Sequence, residues 1–320
     1  MMGLGLWLLD LTSPMMEALS PIMPGETFPF FFTIEMFQRV LLAGFVMAIV
    51  AGVLGSFLLI RNMALIGDGI AHVTFGGVAV ALVMGTAYPL PFAAIFSVLA
   101  AVLIFELQDR GILNGDTAIA IIMTGTLAFG LVLLRLDDNI GGVTPVVEGF
   151  LYGNLLFIDD FSLDFMVTIG LFSLMFLMVM YNGLLASAVD PIAARVQGIP
   201  VKGIGLAFSI LTALVVVSMV KILGALLVTA LLVSPAATAQ QIGKSFRSCV
   251  MWAQLFGVTA LVLGIYFSAE HDTGTGSMIA LVAALIFALV TLLKSMVKSL
   301  IYAKESFDLV RLERSPKKRD

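Results

Sequence analysis

Cysteine, histidine and charge are all scarce in this chain. One cysteine, Cys249, stands among 320 residues, which excludes an intrachain disulfide and a thiolate-rich metal cluster. Charged residues make up 12% of the sequence, about half the share of a soluble globular domain. No G-x-x-x-x-G-K-[ST] run occurs, so there is no phosphate loop with which this chain could cradle ATP. No H-E-x-x-H run occurs either, which removes the sequence mark of an intramembrane zinc protease. Residues 1–20 lack a basic segment and are interrupted by Asp10 and Glu17, so a cleaved secretory signal is not expected.

What is present is apolar. The composition is 60% hydrophobic and the mean hydropathy is +1.10, with many runs near the roughly 20 residues that a membrane helix needs. The expected fold is all-α, a polytopic membrane helical bundle of about eight or nine transmembrane helices. Apolar runs predict helices at 39–60, 65–84, 90–107, 116–134, 163–181, 201–220, 223–242, 249–267 and 278–293. Nine crossings place the chain ends on opposite sides. A cytoplasmic C-terminus puts Arg61, Arg110, Arg195, Lys202, Lys244, Arg247, Lys294 and the basic tail inside, and leaves Arg39, Arg135 and Lys221 outside. Three regions follow: an N-terminal extension over 1–34, a transmembrane region over 35–293 and a basic cytoplasmic tail over 294–320.

Two segments fit neither a plain span nor a plain loop. Residues 141–160, GGVTPVVEGFLYGNLLFIDD, read as a short or re-entrant external helix. Residues 190–203, DPIAARVQGIPVKG, read as a two-turn cytoplasmic helix. Asp190 is its cap, Pro191 its first residue, and Gly198 with Pro200 its end. Ile192 and Val196 then stand four apart with Arg195 beside them, which suits docking into another protein's groove; an ordinary interfacial linker helix is the blander reading. Pro235 interrupts an apolar run and predicts a kink, with Ser234 and Thr238 placed to satisfy the freed backbone groups. The 18 methionines are scattered through apolar runs and read as filler rather than as soft-metal ligands.

The residues of most chemical interest are Asp68 and His72, in the stretch MALIGDGIAHVTFGG. Four residues apart on a helix, they share one face. A carboxylate oxygen and an imidazole nitrogen are half of a plausible transition-metal site. The competing reading makes Asp68 the N-cap of the second helix and His72 an incidental polar neighbour. Two further candidates for a metal-collecting mouth lie outside: the triplet Glu270, His271 and Asp272, expected in a loop, and Glu148. Solvated loop residues would look the same.

Three stretches in order resemble the metal-importing family of ABC transporter permeases, the zinc, manganese and iron group. They are GSFLLIRNMALIGDGIAHVTFGGVAVALVMG at 55–85, DPIAARVQGIPVKG at 190–203 and LGALLVTALLVSPAATA at 223–239. DTAIAI at 116–121 and FLYGNLL at 150–156 add support. One departure is Gly76-Gly77, where many members carry Pro-Gly. The resemblance implies a permease whose pathway forms at a homodimer axis, with Asp68 and His72 at that pathway. The transported ion would be zinc or manganese, with iron a further candidate, and no resident cofactor. It also implies a cytoplasmic ATP-binding subunit that contacts Asp190, Pro191, Ala194, Arg195, Gly198 and Pro200, and an extracytoplasmic metal-binding protein that delivers the ion. Membrane lipid is the remaining partner; nucleic acid is not expected. The expected location is a prokaryotic plasma membrane. The alternative from another class is a secondary, ion-coupled metal carrier. Such carriers tend to show two similar halves and several buried acids, whereas no repeat is evident here and only Asp68 lies well inside a span.

Overall fold

The computed structural model describes residues 3–86, 88–136, 153, 158–225 and 227–313, with side chains as far as residue 299. Among these residues all regular structure is helical. The order is α1 Leu4–Leu19, α2 Phe30–Thr33, α3 Glu35–Ile60, α4 Ile66–Val83, α5 Pro89–Asp109, α6 Gly115–Leu136 and α7 Asp160–Val179. It continues with α8 Tyr181–Val189, α9 Pro191–Val196, α10 Val201–Leu223, α11 Val228–Ile242, α12 Phe246–His271 and α13 Thr275–Glu313. Eight of these, α3 to α7 with α10, α12 and α13, are long and apolar enough to cross a membrane.

The ninth expected span is the one that differs. The apolar run at 223–242 becomes α11, which has 15 residues and is therefore about 22 Å long, short of the ~30 Å hydrocarbon core. Helix α10 runs on to Leu223 and stops at Gly224, whose φ of 82° and ψ of 154° are open to glycine alone. Gly224, Ala225 and Leu227 lie outside both helices. The return across the bundle survives this break. The start of α13 abuts the end of α10 at Gly276 and Leu223, while Gln241 at the far end of α11 donates to Thr291 Oγ1 at 2.6 Å. Pro235 sits inside α11. The Thr238 hydroxyl bonds the Ser234 carbonyl at 2.7 Å rather than the Leu231 carbonyl that the proline leaves without its helical donor.

Packing sorts the spans into inner and outer. The apolar windows of α3, α4 and α10 are each 72% buried, those of α6 and α13 only 22%. Helices cannot gain from expelling water inside a bilayer, so close backbone approach carries their association. Gly55 shows this: a Cβ there would stand 1.9 Å from the Leu232 carbonyl oxygen, so α3 and α11 touch main chain to main chain. Helix α4 runs unbroken through Gly76 and Gly77, so the departure from Pro-Gly leaves the helix straight through that point in hydrogen-bonding terms.

The N-terminal segment is folded onto one end of the bundle. The Leu6 N–H donates to Asp164 Oδ1 at 3.0 Å, and Ser13 Oγ bonds Gln38 Oε1 at 2.9 Å. The Glu270 carboxylate accepts from the N–H groups of Glu26, Thr27 and Phe28 at 3.1, 2.9 and 2.9 Å. The first turns of α3 and α7 and the last turn of α12 thus share this end. Arg39 ties the same end together, pairing with Glu35 at 2.6 Å and Asp160 at 2.5 Å. The re-entrant segment expected at 141–160 lies outside the described residues except for Gly153 and residues 158–160. Gly153, at φ 79°, presses its backbone against Ile222–Gly224 where α10 ends.

Candidate functional site

Asp68 is the third residue of α4, in the first turn, and Leu65 is the N-cap with no side-chain capping bond. The capping reading of Asp68 therefore fails: its carboxylate is placed past the cap and takes no capping hydrogen from the backbone. What holds the first turn is Gly69 N–H to the Leu65 carbonyl at 3.0 Å. The positive end of the helix dipole still favours the ionised carboxylate there.

One turn on, His72 Nε2 stands 3.7 Å from Asp68 Oδ1. That exceeds hydrogen-bond range, so the two groups face each other without being joined. The separation fits a shared ion: two atoms each about 2.0–2.2 Å from one metal lie no more than about 4.4 Å apart. The His72 side chain is 16% exposed and that of Asp68 37%, so the carboxylate is the more accessible of the two. His72 Nδ1 is buried with no hydrogen-bond partner among the described residues. Buried polar atoms are seldom left this way.

Among the described residues the site offers two ligands, Asp68 and His72. Among the described residues no group of three or more His, Cys, Asp or Glu side chains could hold a metal ion. The external triplet does not converge. Helix α12 continues through His271, so Glu270 and His271 are helical rather than in a loop, and Asp272 ends the helix in the left-handed conformation at φ 50°. Glu270 is occupied by the three N–H groups of the N-terminal segment. The His271 ring is stacked on Phe267, 6.4 Å between centroids and 11° between planes. Glu148 lies outside the described residues.

The segment at 190–203 forms a short helix with the caps its residues suggest. Asp190 Oδ1 accepts from the N–H groups of Ile192 at 3.0 Å and Ala193 at 2.9 Å, and Pro191 opens α9. Gly198, at φ 80°, ends it, with its N–H on the Arg195 carbonyl and that of Ile199 on the Ala194 carbonyl, both at 3.0 Å. Pro200 then caps α10. Only Ala194 is buried, at 2% exposure, whereas Ile192 is 75% and Val196 86% exposed. Arg195 is exposed beside them. Two apolar side chains and a cation thus stand out from a rigid, doubly capped turn of helix.

Two features escape the sequence reading. One is the role of Glu270 as a clamp on residues 26–28, a contact between positions more than 240 apart in the chain that no local pattern marks. The other is Arg61, whose guanidinium lies over the Phe208 ring at 5.0 Å. An arginine directly after a 26-residue apolar helix is the local signal, but it reads equally as a solvated end.

These features define a class: a multi-pass helical membrane protein of the transport kind, with a polar pair inside an inner helix and an exposed helix between spans. The chain belongs to the ABC 3 transport family, whose model matches residues 33–294. It is 34% identical over 247 residues to the manganese transport system membrane protein MntC of Halalkalibacterium halodurans, covering 77% of this chain and 83% of that one. It is 30% identical over 250 residues to the high-affinity zinc uptake system membrane protein ZnuB of Haemophilus influenzae, covering 78% and 94%. Among solved structures, PsaBC from Streptococcus pneumoniae in complex with Fab superposes at a TM-score of 0.69 with 31% identity, over 80% of this chain and 90% of that one.

Proposed function

We propose that this chain is the membrane-spanning permease subunit of an ATP-driven importer for divalent transition-metal ions, manganese or zinc, in a prokaryotic plasma membrane. Kinship with manganese and zinc transport permeases supports the class of cargo, and it gives no support to a secondary carrier. The observation that carries the reading within this chain is the Asp68–His72 pair, facing at 3.7 Å inside a largely buried helix. With two ligands among the described residues of one chain, a second copy related by a two-fold axis would complete a four-ligand site. Such a site suits transport, because it can bind loosely enough to release its ion. With no phosphate loop of its own, the chain would receive ATP-derived work from a separate cytoplasmic subunit seated on α9. An extracytoplasmic binding protein would deliver the metal to the opposite face.

The test is uptake of radioactive manganese and zinc by proteoliposomes holding the permease with its ATPase, loaded with ATP and supplied with the delivery protein. ATP-dependent accumulation of one ion, competed by the other, is expected. Accumulation driven by a proton or sodium gradient without ATP would overturn the importer reading.

A further inference from the structure

The turn between α3 and α4 half-buries a cation that no carboxylate in the described structure answers. Arg61 is the C-cap of α3, Asn62 takes the left-handed conformation at φ 55°, and Met63 N–H closes on the Leu58 carbonyl at 2.9 Å. The guanidinium lies over the Phe208 ring, 5.0 Å from its centroid. Beyond the Phe208 ring its hydrogen-bond partner among the described residues is a neutral oxygen, Ser187 Oγ, at 3.4 Å.

A cavity of about 400 Å³ opens beside it, walled by Arg61 and Asn62, by Gln108 and Asp109 at the end of α5, and by Pro191 and Arg195 of α9. The charges in this wall are unequal. Two guanidiniums face one carboxylate, and Asp109 is already held by Lys202 at 3.0 Å. Glu106, nearby on α5, is taken by Arg110 at 2.9 Å and Lys202 at 3.4 Å. A concave, partly desolvated space with surplus guanidinium and amide donors favours an anion, and a planar bidentate one above all. Because α9 forms one wall and exposes Ile192 and Val196 next to it, a protein that covers α9 also covers the cavity.

Resting on the reading of α9 as the ATPase dock, we infer that this cavity receives an aspartate or glutamate side chain of the ATPase subunit, paired with Arg61. The consequence is a second point of attachment. The exposed apolar residues of α9 give grip, and the carboxylate–Arg61 pair links the ATPase to the turn that leads, seven residues on, to Asp68. Movement of the ATPase would then reach the metal-binding helix through α4 itself as well as through α10.

The test uses the assembled permease–ATPase complex in nanodiscs. Arg61→Gln should weaken ATPase association at least about tenfold, while Arg61→Lys retains most of it. In the Arg61→Lys complex a carbodiimide, which condenses an amine with a carboxylate at zero length, should join the introduced amine to an ATPase carboxylate. Mass spectrometry locates the bond. Wild-type association of the Arg61→Gln permease, or no crosslink from position 61 to the ATPase, overturns the inference. Loss of a bound anionic lipid from Arg61→Gln with the ATPase retained overturns it as well. Should Arg61→Gln fail to fold by thermal melting, the crosslink in Arg61→Lys decides alone. Val196→Asp separates the two readings. If it leaves the ATPase bound, the docking role of α9 falls; if it releases the ATPase while Arg61→Gln does not, only the Arg61 pairing falls.

Discussion

Asp68 and Asp190 stand at the starts of two helices, and the sequence allows both to be caps. Asp190 is one: its carboxylate holds two backbone N–H groups of α9. Asp68 lies three residues past the cap position of α4 and faces His72 instead. The difference shows what a carboxylate is for when the backbone has no need of it. At α9 the negative charge is incidental to a hydrogen bond, and an amide oxygen would serve. At α4 the carboxylate has no capping work, sits in an inner helix and meets an imidazole whose buried Nδ1 has no hydrogen-bond partner among the described residues, an arrangement that makes sense for a cation. The surroundings are inverted in the same way. Helix α4 hides polar groups in an apolar interior, and α9 presents apolar groups on an exposed surface. Both break the local rule for their setting, which is where function tends to reside.

The comparison breaks most readily at Asp68. Asp68→Asn should cut ATP-dependent manganese or zinc uptake by at least about tenfold, because removing even an outer-shell partner of a metal ligand costs roughly 10–100-fold. His72→Ala should do the same. Both variants should still assemble with the ATPase, as judged by copurification. Uptake at the wild-type level in Asp68→Asn would return this residue to a structural role.

At α9 the exposed apolar pair is the sensitive element. Val196→Asp places a charge where an apolar contact would form, and should weaken ATPase association by about tenfold or more, some 1.4 kcal/mol. The permease alone should melt unchanged, since Val196 is 86% exposed. Unchanged ATPase binding would leave α9 as a plain linker.

How much of this was legible beforehand follows from range along the chain. Asp190, Pro191 and Gly198 act within four residues of what they cap, so α9 could be read directly. The eight long spans are announced by continuous apolar runs. The late start of the helix expected at 223–242 has a definite cause: hydropathy does not register a backbone torsion, and Gly224 ends α10 inside an apolar run that looks continuous. Glu270 is helical rather than in a loop because α12 extends a turn beyond its apolar stretch, where its carboxylate meets residues 26–28. Asp68 stayed ambiguous in sequence because the cap position depends on where the turn after α3 closes. That is set by Asn62 and Met63, not by Asp68.

Both aspartates lie toward the end of the bundle where the α3–α4 turn and α9 share a cavity, and thiol labelling can show which side of the membrane that end faces. In a Cys249→Ser background, Thr273→Cys, just past α12, should react on intact cells with an impermeant thiol reagent. Gln197→Cys, at the end of α9 and exposed, should react only after permeabilisation. This follows from the excess of Lys and Arg on one set of loops. The reverse pattern would turn the molecule over and place α9 on the side from which metal arrives.

The smallest expected effect is at Asp190, and it completes the contrast because the substitution is the one made at Asp68. Asn is about as good an N-cap as Asp, since the amide oxygen accepts the same N–H groups. Asp190→Asn should therefore leave uptake, ATPase association and thermal stability near wild type. Asp190→Ala removes the acceptor from Ile192 and Ala193 and should cost about 1 kcal/mol of local helix stability, read as faster amide exchange across residues 191–196 and a modest loss of ATPase affinity. If Asp190→Asn behaves like Asp190→Ala, the charge at 190 acts on a partner beyond the cap. If instead Asp190→Asn is silent while Asp68→Asn abolishes uptake, one chemical change separates a carboxylate that shapes the backbone from one that meets the ion.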